Sequence, residues 1–256
     1  MAWDRQINIK SSEEIAIMRE AGRINAEAIH TAVSIIKPGV TTADVNAAAE
    51  EVLKKYGVYS PFKNYPGPYP YPASVCVSVN QELVHGIPGS RKLKEGDIVS
   101  LDCGAVYKGF VGDAAVTVGV GEISPKAKKL LEVTEASLYK GIEQMIAGNH
   151  VGDIGAAIQK YVESHHMNVV REYTGHGVGQ HMHEGPAVPN YGTPGRGMEL
   201  RNGMTIAVEP MVMLGSFKTR VLPDEWTVVS ADGELTAHFE HSIAITENGP
   251  LILTVL

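Results

Sequence analysis

Four acidic residues interrupt β-like runs of apolar residues, where a carboxylate is unusual. They are Asp102, Asp113, Glu209 and Glu240. A carboxylate buried among Val, Leu and Ile side chains costs several kcal/mol unless it is paired or bound to a cation. Backbone hydrogen bonds or an exposed sheet edge would explain one such acid equally well. Four acids in matching positions favour a shared role in binding metal ions.

The acids lie at matching places in a predicted internal repeat. Residues 93–102 align with residues 200–209 at a constant offset of 107, so that the carboxylates of Asp102 and Glu209 coincide. At an offset of 109, Gly39, Asp44, Val45 and Ala48 align with Gly148, Asp153, Ile154 and Ala157. A two-fold axis between such halves would bring the four acids to one centre, where their charges need cations. Two divalent ions would balance them, as in two-metal hydrolases.

Helix signals come in two pairs along the chain. A capping box at Ser11 and a second start near Thr42 predict the first pair. The second pair is predicted after Ser124, where Pro follows at the first helical position, and from about Asp153 to His166. Each pair precedes a region of short β-like runs. We therefore predict an α+β protein.

The strands of either half are too few to make an independent core. The first β-like region covers residues 74–121, and the second follows the second helix pair. We predict one catalytic domain over residues 1–256, with a pseudo-two-fold repeat of about 11–121 and 124–250 and one shared sheet.

A nitrogen ligand is predicted at His176, one of ten histidines. It lies between Gly175 and Gly177, and such flanking glycines let a backbone pass close to a ligand. Other histidines fall on helical or turn segments, where we expect surface positions. They are His30, His150, His165 and His166.

Composition excludes several other classes of protein. The 256 residues carry a formal charge of −7 and no basic run, which argues against direct binding of nucleic acid. No apolar stretch reaches the roughly 20 residues that span a bilayer, and residues 1–10 lack a secretion signal. Cys76 and Cys103 are too few for a disulfide framework or a thiolate zinc site. We expect a soluble, cytoplasmic protein whose metals are held by oxygen and nitrogen.

Taken together, these features resemble the type I methionine aminopeptidases in their short bacterial form. The resemblance covers nearly the whole chain. Its motifs are Val84-His85-Gly86-Ile87-Pro88, Asp102 with Asp113, Gly175-His176-Gly177, His183-Glu184, Val208-Glu209-Pro210 and Phe239-Glu240-His241. The spacing of His176 and Glu209 leaves no room for the helical insertion of the type II enzymes. The resemblance implies the pita-bread fold, a curved antiparallel sheet backed by two helix pairs.

The resemblance also implies two divalent metal ions held by five ligands. These are Asp102, Asp113, His176, Glu209 and Glu240. Asp113 and Glu240 would bridge the ions, and Glu209 would also take a proton from the attacking water. His85 and His183 would hydrogen-bond the substrate amide and the oxyanion. The sequence leaves the metal open among Co, Mn, Fe and Zn.

The implied substrate is the N-terminal Met of a nascent polypeptide or peptide whose second residue is small. A thioether offers only packing and weak sulfur contacts, so the enzyme needs a closed apolar pocket. The implied pocket residues are Tyr71, Cys76, Met182 and Trp226. Residues 64–72 depart from the family's usual pocket loop because they are richer in Pro.

Two other functions are weighed against this one. A prolidase or aminopeptidase P of the same fold uses a similar ligand set but usually carries an additional N-terminal domain, which we do not expect before Ser11. A non-catalytic binding module on the same scaffold would be expected to lose ligands, whereas all five are present. We expect a monomer that binds no membrane. Contact with the ribosome and a monovalent cation near Asn80 stay open.

Overall fold

The computed structural model describes residues 7–256, in which two pairs of helices alternate with strands. The helices are α1 (Ser12–Ser34), α2 (Thr42–Lys55), α3 (Pro125–Ile142) and α4 (Val151–Ser164). The strands before α3 are β1 (Val75–Val79), β2 (Glu82–Val84), β3 (Ile98–Tyr107) and β4 (Phe110–Gly119). The strands after α4 are β5 (Asn168–Val169), β6 (Thr174–Gly177), β7 (Glu184–Pro189), β8 (Thr205–Val208), β9 (Met211–Met213), β10 (Thr219–Val221), β11 (Val228–Ser230), β12 (Thr236–His238), β13 (Glu240–Thr246) and β14 (Gly249–Ile252).

The predicted helix starts are confirmed, with one shift. Ser11 accepts a hydrogen bond from the Glu14 N–H at 3.2 Å and closes the capping box of α1. Helix α4 begins at Val151, two residues before the predicted start at Asp153. The reason is that Asp153 is the third helical residue, and its carboxylate accepts the backbone N–H of His150 at 2.7 Å.

One antiparallel sheet of eight strands runs through the molecule. Its order is β1-β3-β4-β13-β8-β6-β7, with β14 paired to β13. The two halves of the chain meet where β4 pairs with β13, with Glu240 opposite Ala115 and His241 opposite Ala114. Two three-stranded sheets, β10-β11-β2 and β12-β9-β5, lie beside it. The predicted α+β pita-bread architecture is confirmed.

Each helix pair packs on its own part of the sheet. Ile24 of α1 and Val45 of α2 share one buried cluster with Leu101 of β3. Ile154 of α4 shares a second cluster with Ile243 of β13. Burying these apolar faces is what holds the sheet between the helices and fixes the strands that carry the acids. Within residues 7–256, none of the helices is long and apolar enough to cross a membrane.

Matching turns recur at the offsets that defined the predicted repeat. Gly39 and Gly148 both have φ of 94°, and Gly96 and Gly203 have φ of 87° and 86°. These left-handed values favour glycine because a Cβ atom is strained there. The internal repeat and the single domain stay predictions, and this agreement of backbone conformation supports them.

Asp102 lies inside its strand and not at the end of it. Strand β3 continues to Tyr107, because Cys103, Ala105 and Val106 go on packing in the interior. Glu209 does come directly after the end of β8. The first acid therefore sits in the middle of a paired strand and the second at the end of one.

Candidate metal centre and active site

Strand register places the predicted acids in two adjacent rows across the sheet. In the first row, Cys76 faces Asp102, Asp102 faces Ala115, and Ala115 faces Glu240. Glu209 extends this row. Val208 is opposite His241 in an antiparallel pair, so the next residue, Glu209, comes beside Glu240. Side chains of directly paired residues point to the same face, so these acids converge above the small Ala115.

The second row carries Asp113 and His176. His176 faces Ala207, and Ala207 faces Ser242. The Ser242 hydroxyl donates to the Asp113 carbonyl at 2.8 Å and accepts the Asp113 N–H at 3.0 Å, which joins β4 to β13. Small residues again separate the functional ones. The space that they leave above the sheet is where a ligand can lie.

The side-chain atoms of these rows approach one another closely. His176 Nε2 lies 3.7 Å from an Asp113 oxygen and 3.4 Å from a Glu209 oxygen. One atom each from Asp113, His176 and Glu240 can be chosen so that all lie within 4.8 Å of one another. The Nδ1 atom of His176 is 2.9 Å from the Gly177 carbonyl, to which it donates its proton. This leaves Nε2 with a lone pair facing the acids.

His238 is a residue of this cluster that sequence reasoning missed. Its Nε2 atom lies 3.7 Å from an oxygen of Glu209 and 3.7 Å from an oxygen of Glu240. The Thr117 hydroxyl accepts the His238 N–H at 2.9 Å and donates to the His238 carbonyl at 2.8 Å. The available signal was its position two residues before Glu240, since alternate residues of an extended chain share a face.

The charges of the cluster fit bound divalent cations. Burial raises the pKa of Asp102, Glu209 and Glu240 well above the ordinary value, and repulsion from neighbouring carboxylates adds to this. Burial also raises the pKa of Asp113 to about 7. Four buried polar atoms of the cluster have no hydrogen-bond partner within residues 7–256. They are Asp102 Oδ1, Asp113 Oδ1, Glu240 Oε1 and His238 Nε2. Such acids stay ionised only beside cations.

Burial keeps the candidate ligand His176 neutral, which is the form of histidine that binds metal. The pKa of His176 is lowered to about 3 by burial, with a further contribution from His183. Carboxylate oxygens with one imidazole nitrogen suit hard and intermediate divalent ions. The donor set and the orphaned atoms therefore fit a metal centre.

A cavity of about 330 Å³ opens above the acids. The predicted pocket residues Tyr71, Cys76, Met182 and Trp226 line it, together with Phe62 and Tyr65, which the sequence analysis missed. Tyr71 is buried, and its hydroxyl donates to the Gly86 carbonyl at 2.9 Å. Its ring meets the Trp226 ring edge to face at 5.2 Å. The cavity thus has an apolar wall next to a charged floor.

The Pro-rich segment 64–72 supplies that wall in part. Tyr71 points inward, whereas Tyr69 is exposed and donates its hydroxyl to the Asp224 carbonyl at 2.8 Å. Trp226 Nε1 donates to the Tyr69 carbonyl at 3.2 Å. Tyr69 therefore supports Trp226 from outside.

Two further histidines line the cavity as predicted from the resemblance. His85 has a left-handed φ of 60°, and burial lowers its pKa to about 4. His183 lies with its ring centroid 4.3 Å from that of His176, and its Nδ1 is 2.6 Å from the Tyr65 hydroxyl. Burial lowers the pKa of His183 to about 4 as well. Both imidazoles are neutral at physiological pH and can donate one N–H.

The sequence profile of metallopeptidase family M24 matches residues 16–247. The chain belongs to metallopeptidase family M24. Among M24 relatives, it is 54% identical to methionine aminopeptidase 1 of Bacillus subtilis over 245 residues, which cover 96% of this chain and 98% of that protein. It matches the crystal structure of the Thermotoga maritima methionine aminopeptidase with a TM-score of 0.95 and 50% identity, covering 98% of this chain and all of that one.

The M24 chain is less similar to a dipeptidase of the same fold. The Xaa-Pro dipeptidase of Bacillus anthracis matches with a TM-score of 0.75 and 26% identity, and the match covers 61% of that chain. The TM-score and the covered share of the matched chain are both higher for the Thermotoga maritima methionine aminopeptidase than for this dipeptidase.

Proposed function

We propose that this M24 chain is a methionine aminopeptidase, a metallo-exopeptidase that hydrolyses the N-terminal Met from peptides and nascent proteins when the next residue is small. The observation that carries this proposal is the pairing of Cys76 with Asp102. This pairing puts a residue of the apolar wall, Cys76 on β1, directly beside an acid of the cluster, Asp102 on β3. Both residues line the cavity. A Met side chain in the pocket would place its own peptide carbonyl over the acids.

The metal centre would be held by the five residues that the resemblance implied. These are Asp102, Asp113, His176, Glu209 and Glu240. Two divalent ions bound there would supply Lewis acidity toward the peptide carbonyl and a lowered pKa for water. Their number, and their identity among Co, Mn, Fe and Zn, are part of the proposal. So is a monovalent cation near Asn80, where the Thr236 hydroxyl lies 3.2 Å from the Asn80 carbonyl and 3.0 Å from the Glu82 carbonyl.

Side chains of the protein would have separate roles in hydrolysis of the peptide. Glu209 is 11% exposed, is in reach of His176 and His238, and would accept the proton of the attacking water. His85 and His183 would donate hydrogen bonds to the substrate amide and to the oxyanion, as neutral imidazoles can. His238 would hold the carboxylates of Glu209 and Glu240 in place.

The remaining expectations belong to the same proposal. We propose one catalytic domain over residues 1–256 that acts as a cytoplasmic monomer, with transient contact to the ribosome where nascent chains emerge. The acidic net charge argues against nucleic acid as a direct ligand.

Hydrolysis of two tripeptides would test the substrate assignment. Metal-loaded protein is incubated with Met-Ala-Ser and with Ala-Pro-Ser, and free amino acids are measured. Release of Met alone supports the proposal. Pro-dependent release of Ala would instead indicate a prolidase-like or aminopeptidase P-like enzyme, and no release from either peptide would indicate a binding protein.

A further inference from the structure

A buried ion pair lies outside the cavity and has no part in the proposed chemistry. Lys10 Nζ is 2.5 Å from Glu184 Oε2, and the two side chains are only 5% and 3% exposed. A buried pair stabilises a fold little compared with apolar residues of similar size, because both charges lose their water. Neither residue lines the cavity above the acids. A role beyond stability would explain why the pair occupies this site.

Each partner is also held by the backbone. Lys10 Nζ donates to the Asn8 carbonyl at 3.0 Å, and the Lys10 N–H donates to the Gly203 carbonyl at 2.8 Å. Burial acts to raise the pKa of Glu184, but the hydrogen bond from Lys10 and smaller contributions hold it below its ordinary value. Glu184 is therefore favoured as a carboxylate and is held in place by these hydrogen bonds.

The Glu184 side chain closes a turn around the two residues that precede it. Its Oε1 atom accepts the backbone N–H of His181 at 3.1 Å, while the other oxygen binds Lys10. The two residues inside this turn, Met182 and His183, line the cavity, and His183 is a proposed hydrogen-bond donor to the substrate. A carboxylate that is bonded on both sides fixes the turn between His181 and Glu184.

The segment 7–10 and the turn 179–185 are also in direct contact. Ile7 forms a parallel bridge with Gly185. A Cβ atom at Gly179 would lie 2.5 Å from Glu184 Oε1 and from Lys10 Cε, so the turn packs on the pair without space for a side chain. Val111 of β4 donates its N–H to the Gly179 carbonyl at 2.8 Å, which ties the other end of the turn to the sheet.

We infer that Lys10 and Glu184 are positioning residues, which act through Met182 and His183 by clamping their turn between segment 7–10 and the sheet. The inference rests on the proposed role of His183. A displacement of about 1 Å at a group that contacts the reacting bond can lower turnover by a factor of about 100. Segment 7–10 thereby becomes part of the catalytic apparatus although it contacts no substrate.

The test is a mutant cycle between Lys10 and His183 in metal-loaded protein. Lys10→Met keeps most of the length of the side chain and removes its charge, and we expect kcat for Met-Ala-Ser to fall at least about tenfold with unchanged metal content. In a His183→Ala background, the same substitution should cause little further loss. Equal losses in the two backgrounds, or wild-type kcat for Lys10→Met, would overturn the inference.

A control variant, a substitute variant and an NMR measurement separate a positioning role from a loss of folding or of function. Lys126→Met breaks an exposed ion pair with Glu234 and should leave kcat unchanged. If Lys10→Met does not fold, Glu184→Gln takes its place in the cycle. The His183 signal in an NMR spectrum of the histidine rings is assigned by its loss in His183→Ala. This signal should shift in Lys10→Met even if the wild type releases no Met. An unshifted signal would overturn the clamp independently of the proposed function.

Discussion

Asp102 and Glu240 lie on either side of Ala115, each directly opposite it in the sheet. The small methyl group of Ala115 leaves space between the two carboxylates, so that both can meet one ligand. Ala115 is 1% exposed, so a larger side chain could not turn away into solvent.

Substitution Ala115→Val should therefore weaken metal binding. The added methyl groups would enter the space between the two carboxylates, and overpacking of this kind costs about 1–3 kcal/mol at a rigid site. Titration with Co²⁺ followed by calorimetry would measure the change, with Ala115→Ser as the matched small variant. Equal Co²⁺ affinity in the two variants would mean that the acids do not share a ligand across this position.

Asp113→Asn should abolish turnover without weakening the metal-free fold. Asp113 is buried and its pKa is raised to about 7, so its charge is unfavourable in the absence of cations. We expect the metal-free variant to melt at the same or a higher temperature than the wild type, and to bind less metal. Substitution of the exposed Glu132 by Gln serves as the control. Full activity of Asp113→Asn at limiting metal would remove Asp113 from the ligand set.

His85→Ala should lower kcat by a factor of about 100 or more while the metal content stays unchanged, which is the usual result of losing one transition-state donor. Metal analysis of the purified variant and its rate on Met-Ala-Ser give the two values. His165→Ala, directly after the end of α4 and outside the residues that line the cavity, is a matched histidine control. A His85 variant that turns over at the wild-type rate would make this residue only a part of the cavity wall.

His238→Ala should weaken metal binding by a factor of about 10–100, the range seen when a residue that orients ligands is lost. Its Nε2 atom stands 3.7 Å from an oxygen of Glu209 and from an oxygen of Glu240, and within residues 7–256 this atom has no hydrogen-bond partner. His238→Gln retains an N–H donor of similar reach and should restore part of the affinity. If Ala and Gln variants bind Co²⁺ as the wild type does, His238 has no role in orienting the glutamates.

Metal binding should tighten between about pH 6.5 and 8 and release protons. Ligands must be deprotonated, and the pKa of Asp113 in the metal-free protein is about 7. In this window the folded metal-free protein binds more protons than the unfolded chain, so it loses stability as the pH rises. The gain in melting temperature from Co²⁺ should therefore grow with pH.

Buried histidines do not obscure this window. Burial lowers the pKa of His176 and His238 to about 3, so both are neutral in the folded protein throughout this window and release no proton when metal binds. Calorimetry in two buffers of different ionisation enthalpy counts the protons. Binding with no proton release at pH 6.5 would show that the acids are already ionised without metal.

The residues of the candidate metal centre could be found in the sequence because local signals mark them. Acids in apolar runs, a repeat at fixed offsets and a histidine between glycines are all visible along the chain, and the helix starts follow from side-chain caps such as Ser11. His238 was missed although its spacing from Glu240 was available, because a single histidine beside a polar turn gives no pattern of its own.

Contacts between distant segments could not be predicted. Phe62 and Tyr65 enter the cavity from a loop without periodicity, and Tyr65 meets His183 only because the fold brings positions 118 residues apart together. Lys10 and Glu184 are 174 residues apart, and no pattern in the sequence indicates that they pair. Such contacts depend on packing, which no short window of residues encodes.

The pairing of β4 with β13 has a consequence for how the protein acquires its metals. Asp102 and Asp113 come from one side of that seam, and His176, Glu209 and Glu240 come from the other. Neither set alone offers all five proposed donors, and a slip of one position along the seam would turn Glu240 toward the helices. Metal binding at the proposed site would therefore require that the two sides of the chain have docked in the correct alignment.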